Sequence, residues 1–267
     1  MKNLLNYSIY NNNISKEWVT FVHGAGASSS MWFKQIREYK KHFNVLLLDL
    51  RGHGRSKYHI NDIFEKKYTF SLISNDIVRV LKKEKINSSH FVGISLGTIL
   101  IRNIAEFYPK MVKSMVMGGA IMKLNLKSQF LMKLASACKD TVPYIWIYKL
   151  FAFIIMPNFK LPRNLDLEIG DEAKKLYQKE FIRWFKLTSE INPLLKLFRQ
   201  VELSIPTLYV MGSQDYMFLK TIKVLTNKHK SAELLIIPDC GHVVNIEKSI
   251  FFNNQTISFL TSLVKKK

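Results

Sequence analysis

Residues 89–107 read SHFVGISLGTILIRNIAEF and contain a serine between two glycines, GISLG at 93–97. The residues up to Ile94 are predicted to form a strand, and apolar residues recur at helical spacing from Leu96 to Phe107. Ser95 therefore lies on a tight turn from a strand into a helix. The flanking glycines relieve the crowding that such a turn imposes, and free N–H groups at the helix start stabilise developing negative charge. This stretch predicts an α/β fold that presents the Ser95 hydroxyl.

Strands and helices alternate on both sides of this turn. The predicted strands are Trp18–Val22, Asn44–Leu48, Ser89–Ile94, Val112–Met117, Thr207–Met211 and Glu233–Ile237. The predicted helices are Met31–Tyr39, Phe70–Lys83, Leu96–Phe107, Leu219–Asn227 and Ser249–Leu263. A β-loop-α order predicts a mostly parallel central sheet with helices on both faces.

The alternation is interrupted after the glycine pair at 118–119. Residues 121–200 contain no clear strand but several amphipathic or apolar helical stretches, and strands resume at Thr207. We therefore expect residues 1–120 and 201–267 to form the α/β core of the fold. Residues 121–200 are expected to form an inserted helical cap, or lid.

A serine hydroxyl is a weak nucleophile unless a base removes its proton, so a histidine held by a carboxylate is needed elsewhere. His242 follows the last strand, and Asp215 follows the strand before it. Both are therefore expected at the carboxyl edge of the sheet, where ligand crevices form. A loop histidine and a capping aspartate are the plain structural alternatives. Asp239 competes with Asp215 as the acid, but a loop carboxylate on the adjacent strand reaches the imidazole more naturally.

The chain resembles the α/β-hydrolase superfamily over nearly its whole length. Five motifs carry the resemblance in order: HGAG at 23–26 with a tryptophan at 32, DLRGHGRS at 49–56, GISLG at 93–97, GSQD at 212–215 and GH at 241–242. The resemblance implies that Ser95 is the nucleophile, His242 the general base and then acid, and Asp215 the orienting carboxylate. It also implies an oxyanion hole formed by the backbone N–H groups of Ala25 and Leu96. No metal and no cofactor are needed for such a mechanism.

The identity of the nucleophile narrows the reaction. Relatives that open epoxides or displace halides carry aspartate at the elbow, because a carboxylate attacks carbon to form an alkyl ester; Ser95 argues against both. A serine with an oxyanion hole suits attack on an acyl carbon. We therefore expect a serine esterase, lipase-like, acting on a small-molecule ester with a largely apolar acyl group. Thioester hydrolysis, lyase or carbon–carbon hydrolase chemistry and non-catalytic ligand binding remain alternatives.

The helical region supplies candidates for an acyl pocket. Trp146 and Trp184 are candidates for its roof, although aromatic residues at helical spacing are more often packed inside the cap itself. His53 and Cys240 lie near the expected mouth of the site, and we interpret both as structural neighbours.

Composition limits the class of protein. Hydrophobic residues make up 48% and charged residues 22%, which excludes a disordered, collagen-like or membrane-spanning chain. The net charge of +20 is spread over all three segments, so we expect a solvated basic surface and no nucleic-acid partner. Weak attraction to anionic membrane surfaces is the remaining alternative.

The two cysteines, Cys138 and Cys240, form no metal or disulfide pattern, and the first residues form no secretory signal. The expected compartment is the cytoplasm; the sequence leaves the oligomeric state open.

Overall fold

A central sheet organises the molecule. The computed structural model describes residues 4–58, 68–124, 129, 142, 144–155, 178–188 and 191–265. The strands are β1 (Tyr7–Tyr10), β2 (Trp18–Val22), β3 (Asn44–Leu48), β4 (Ser89–Ile94), β5 (Val112–Gly118), β6 (Thr207–Gly212) and β7 (Ala232–Ile237). Their order in the sheet is β1-β3-β2-β4-β5-β6-β7, and each neighbouring pair is parallel except β1 with β3. The predicted mostly parallel sheet is confirmed.

Helices cover both faces of this sheet. The α-helices in the described part of the chain are α1 (Phe33–Tyr39), α2 (Phe70–Lys83), α3 (Leu96–Phe107), α4 (Tyr144–Ile155), α5 (Gln178–Thr188), α6 (Ile191–Gln200), α7 (Leu219–Thr226), α8 (Val244–Glu247) and α9 (Ser249–Lys265). Short 3-10 helices span Ser29–Trp32, Gly54–Tyr58 and Pro109–Met111. None of the described helices is long and apolar enough to cross a membrane.

An apolar core lies between the helices and the sheet on each face of the sheet. On one face, α2 contributes Ile73 and Ile77, whose spacing places them on one side of a helix that begins at the Thr69 cap. On the other face, α1 packs against α9, and the buried Tyr39 hydroxyl lies 2.6 Å from Thr256 Oγ1. Because both faces are covered, the inner strands β3, β4 and β6 are buried along their whole length.

The strand β1 is an element that the sequence patterns did not indicate. It pairs antiparallel with β3 at the edge of the sheet, with Tyr7 opposite Leu48 and Tyr10 opposite Val45. Its four residues are half-buried or exposed, so they lack the continuous apolar run of an inner strand. Pairing with β3 defines this strand, rather than any local hydrophobic pattern.

The described part of residues 121–200 is mostly helical, and α5 and α6 contact the α/β core. Trp184 on α5 and Leu195 and Phe198 on α6 belong to the same apolar cluster as α2 and α3. Arg102 on α3 stacks on the Phe198 ring at 4.7 Å and donates a 2.8 Å hydrogen bond to the Val201 carbonyl. Helices α5 and α6 are thus joined to the core by apolar packing, and the Arg102 hydrogen bond ties the segment that follows α6 to α3. The cap boundaries at 121 and 200 stay a prediction.

Candidate active site

Ser95 sits on the turn between β4 and α3 in a strained conformation. Its φ is 54° and its ψ is −119°, a combination that residues with a Cβ rarely adopt. The side chain is half-buried, and the backbone N–H donates to the Gly118 carbonyl at 3.0 Å. The Ser95 carbonyl accepts from the backbone N–H and the hydroxyl of Thr98, which ties the turn to the first turn of α3.

The elbow depends on Gly97 because two backbones meet there. A Cβ atom at this position would lie 2.2 Å from the Val22 carbonyl oxygen at the end of β2. This close approach lets the start of α3 pack directly on the neighbouring strand. The glycine spacing of the motif is therefore a packing requirement as well as a conformational one.

His242 and Asp215 form a buried pair at the carboxyl edge of the sheet. The Nδ1 atom of His242 lies 2.8 Å from Oδ2 of Asp215, and the two residues are 3% and 2% exposed. Because a carboxylate only accepts hydrogen bonds, the imidazole donates from Nδ1, and in the neutral ring this tautomer has its lone pair on Nε2. The Phe218 N–H donates to the other Asp215 oxygen at 3.3 Å, and the Phe218 ring packs on the imidazole at 5.3 Å. Sequence reasoning missed Phe218, whose apolar side chain gives no chemical signal.

The Nε2 atom of His242 is buried and makes no hydrogen bond within the part of the chain that the structure describes. The link from the Ser95 hydroxyl to Nε2 is therefore not formed in this structure. Such contacts are often long in the absence of substrate and tighten when it binds.

The glycine pair at the end of β5 brings the serine turn and the histidine loop together. Gly118 accepts the hydrogen bond from Ser95, and a Cβ atom on Gly119 would lie 3.1 Å from Cε1 and Nδ1 of His242. Gly119 has a φ of +50°, a conformation that favours glycine. Gly118 thus contacts the serine turn, and the adjacent Gly119 lies against the imidazole of His242.

The loop after β2 lies against the serine turn. A Cβ atom on Gly24 would sit 3.4 Å from the Ser95 Cβ atom, so the two backbones are in contact. The next residue, Ala25, is exposed. Leu96 is the first residue of α3, so its N–H has no partner inside the helix. Leu96 thus adjoins Ser95 in the chain, and Ala25 follows the glycine that lies against it; their role as oxyanion donors stays a prediction.

The two tryptophans of the predicted acyl pocket have different surroundings. Trp146 on α4 is 66% exposed. Trp184 on α5 is buried, donates from Nε1 to the Arg51 carbonyl at 3.0 Å, and packs edge-on against the His53 ring at 5.0 Å. Trp184 therefore packs on the 49–56 turn, whereas the Trp146 side chain lies at the surface.

Cys240 and Asp239 are the other candidate groups near the site. Cys240 is buried, and burial raises the pKa of its thiol to about 12. The second cysteine, Cys138, lies outside the described residues. Asp239, the competing carboxylate, is exposed, and its backbone N–H donates to the Ser213 hydroxyl. Within the described ranges, no group of three His, Cys, Asp or Glu side chains is arranged to hold a metal ion.

Comparison with known proteins agrees with this architecture. A family model described as alpha/beta hydrolase fold matches residues 17–143. A pimeloyl-[acyl-carrier protein] methyl ester esterase from Wigglesworthia glossinidia brevipalpis is 25% identical over 256 residues, which cover 88% of this chain and 90% of that protein. The dihydrolipoyllysine-residue acetyltransferase component of the acetoin cleaving system from Pseudomonas putida is 23% identical over 247 residues, 91% of this chain. The matched region spans only 63% of that longer protein.

A solved structure shows the same fold over almost the whole chain. The enol-lactonase from Burkholderia xenovorans LB400 superposes with a TM-score of 0.78 at 20% sequence identity, and the match covers 96% of each chain. The sheet order, the strained serine turn and these matches together show that the chain has the α/β-hydrolase fold.

Proposed function

We propose that the chain is a serine hydrolase that cleaves carboxylic esters with largely apolar acyl groups. The observation that carries this proposal is the buried His242–Asp215 pair, whose imidazole lies against Gly119, the neighbour of the Gly118 carbonyl that accepts from Ser95. A neutral imidazole with a lone pair on Nε2 is the base that a serine nucleophile requires. The named activity of the Wigglesworthia relative, an ester hydrolase, supports the same bond type.

The chemistry follows from the positions of these groups. The Ser95 hydroxyl oxygen attacks the acyl carbon while Nε2 of His242 accepts the hydroxyl proton. Asp215 stabilises the imidazolium that forms. The N–H groups of Ala25 and Leu96 donate to the oxyanion of the tetrahedral intermediate. The imidazolium then gives its proton to the leaving alkoxide, which departs as the alcohol and leaves an acyl-serine.

The second half of the reaction uses the same groups in reverse. His242 accepts a proton from water, whose oxygen attacks the acyl carbon of the acyl-serine. The second tetrahedral intermediate is held by the same two N–H donors. Its collapse returns the proton to Ser95 and releases the carboxylic acid.

The chain that follows β5 leaves the sheet beside Ser95 and leads into an apolar helical region, which supports a substrate with an apolar acyl group. Gly118 bonds to Ser95, and three residues later the Ile121 N–H lies 3.4 Å from Thr98 Oγ1, so the chain enters the helical region next to the site. Helix α4, with the sequence YIWIYKLFAFII, carries one charged residue, Lys149. An apolar segment of this kind suits an apolar acyl chain better than a charged one.

The test uses a panel of para-nitrophenyl esters of increasing acyl length, acyl-CoA thioesters and a fluorophosphonate probe. We expect ester turnover and covalent labelling in the wild type, and loss of both in Ser95→Ala. Ser114→Ala is a matched control, because the Ser114 hydroxyl also contacts a histidine, His90, at 2.7 Å. Ser114 is fully buried near the amino ends of the strands, so its loss should leave labelling unchanged.

The competing functions predict other outcomes. Faster turnover of the thioesters than of the oxygen esters would favour a thioesterase. Labelling of Ser95 without turnover of either substrate would favour lyase or carbon–carbon hydrolase chemistry. A folded wild type that takes up no fluorophosphonate would contradict the serine mechanism and leave a ligand-binding protein.

A further inference from the structure

His53 is a buried histidine outside the candidate triad, and both of its ring nitrogens are engaged. The Gly26 N–H donates to Nε2 at 3.0 Å, and Nδ1 lies 3.0 Å from the Arg51 carbonyl oxygen. A backbone N–H can only donate, so Nε2 accepts and the ring proton sits on Nδ1, where it donates to Arg51. The bond that Nε2 accepts requires the neutral imidazole, because a protonated ring carries a hydrogen on both nitrogens.

The surroundings of His53 keep the ring neutral. Burial and the neighbouring His23 ring, 5.2 Å away between centroids, lower the pKa of His53 to about 3. The hydrogen bond to Arg51 and the charge of Asp49 oppose this shift without overcoming it. Trp184 closes the remaining side, with its ring edge-on to His53. The acceptor at Nε2 is therefore available throughout the neutral and mildly acidic range.

The Gly26 N–H belongs to the loop that holds one of the proposed oxyanion donors. Gly24 touches the Ser95 Cβ position, Ala25 follows it, and Gly26 has a φ of +69°. Fixing the direction of the Gly26 N–H fixes the peptide plane between Ala25 and Gly26. This plane restricts the rotation of Ala25, and so the direction in which the Ala25 N–H points.

We propose that His53 is a positioning residue for the oxyanion hole: its neutral imidazole holds Gly26 and thereby aims the Ala25 N–H at the carbonyl oxygen above Ser95. This inference rests on the proposed ester hydrolysis. The positioning role explains why a histidine stands at position 53 of the DLRGHGRS turn, because few other side chains offer an acceptor and a donor on opposite sides of one planar group. Glutamine is the nearest substitute: its amide oxygen can accept from Gly26 and its amide nitrogen can donate to Arg51.

The experiment compares His53→Leu, His53→Gln and a control, His90→Leu. His90 is equally buried, at 3% exposure, but it lies near the start of β4, at the opposite end of the strand from Ser95. For His53→Leu we expect kcat on a para-nitrophenyl ester to fall about tenfold to a hundredfold, with KM changed less than about twofold. This is smaller than the roughly hundredfold to thousandfold cost of removing one oxyanion donor, because the Ala25 N–H is misdirected and not removed; such a donor acts in the transition state and not in substrate binding. His53→Gln should recover a large part of the lost kcat, and His90→Leu should keep wild-type kcat even where its thermal midpoint falls.

A second measurement does not depend on turnover. In the amide NMR spectrum, His53→Leu should move the proton resonances of both Gly26 and Ala25, and His53→Gln should return them toward the wild-type positions. An Ala25 resonance that stays unmoved in His53→Leu, or equal losses of kcat in His53→Leu and His90→Leu, would overturn the positioning role. A wild type without esterase activity, whose Ala25 resonance still depends on His53, would instead overturn the proposed function and leave the loop contact intact.

Discussion

The Nδ1 atom of His242 lies 2.8 Å from the Oδ2 atom of Asp215, and the two residues are almost completely removed from solvent. Their loops follow β6 and β7, adjacent parallel strands that end at the same edge of the sheet. In this shielded position the carboxylate favours the neutral tautomer with the proton on Nδ1, and in the proposed reaction it stabilises the imidazolium during proton transfer. This contact distinguishes Asp215 from Asp239, the other candidate acid, which is exposed.

Replacing Asp215 by asparagine should lower kcat for ester hydrolysis by about 10⁴-fold, because an amide can hold the ring in the wrong tautomer. Asp239→Asn is the matched control: this residue is also a loop aspartate beside β7, but it is exposed. Initial rates and the rate of fluorophosphonate labelling give the comparison. Near-normal turnover in Asp215→Asn, with a large loss in Asp239→Asn, would assign the acid to Asp239.

Much of the fold could be predicted because its signals are local. The strand Ser89–Ile94 and the helix Leu96–Phe107 are observed with the predicted bounds. The adjacency of Asp215 and His242 follows from two facts: each comes directly after a strand, and parallel strands share their carboxyl edge. The positions of Asp215 and His242 along the chain were therefore enough to predict that the two residues lie close together in the fold.

Contacts between distant segments could not be predicted in this way. The spacing of aromatic residues shows that Trp184 lies on a helix, but not where its indole points. In the structure its N–H donates to Arg51, 133 positions earlier in the chain. The acceptor role of His53 depends in the same way on a loop 27 positions away. Neither partner leaves a periodic signal in the sequence.

The strain at Ser95 predicts a conflict between stability and activity. Glycine adopts a positive φ without a steric penalty, whereas alanine keeps the Cβ atom that makes this conformation costly. Ser95→Gly should therefore unfold with a free energy about 1 kcal/mol greater than that of Ser95→Ala, although both variants lose ester turnover. Urea denaturation of the two proteins measures the difference. Equal stabilities would mean that the turn relaxes in solution.

The two tryptophans should differ sharply in their contribution to stability. Trp184→Ala removes a buried ring and leaves the Arg51 carbonyl without its indole donor, so we expect the free energy of unfolding to fall by roughly 3–5 kcal/mol. Trp146→Ala removes a ring that is 66% exposed and should cost less than about 0.5 kcal/mol. If Trp146 contacts the acyl chain, its variant should still change the preference among ester chain lengths. An unchanged preference would exclude Trp146 from the acyl pocket.

The buried His53 predicts a specific dependence of stability on pH. In the unfolded chain a histidine takes up a proton near pH 6.5, whereas the pKa of His53 in the folded chain is about 3. Between these values the unfolded state binds one more proton, so acid favours unfolding. The contribution of His53 to the free energy of unfolding is fully present above pH 6.5, and as the pH falls toward 3 it decreases by about 1.4 kcal/mol per pH unit.

Glutamine at position 53 keeps the two hydrogen bonds but cannot be protonated. Urea unfolding of the wild type and His53→Gln from pH 7 to pH 4 should therefore give curves whose slopes differ by about one proton, since every other titrating group is shared. Parallel curves would show that His53 is protonated in the folded chain, and Nε2 would then be unable to accept the Gly26 N–H.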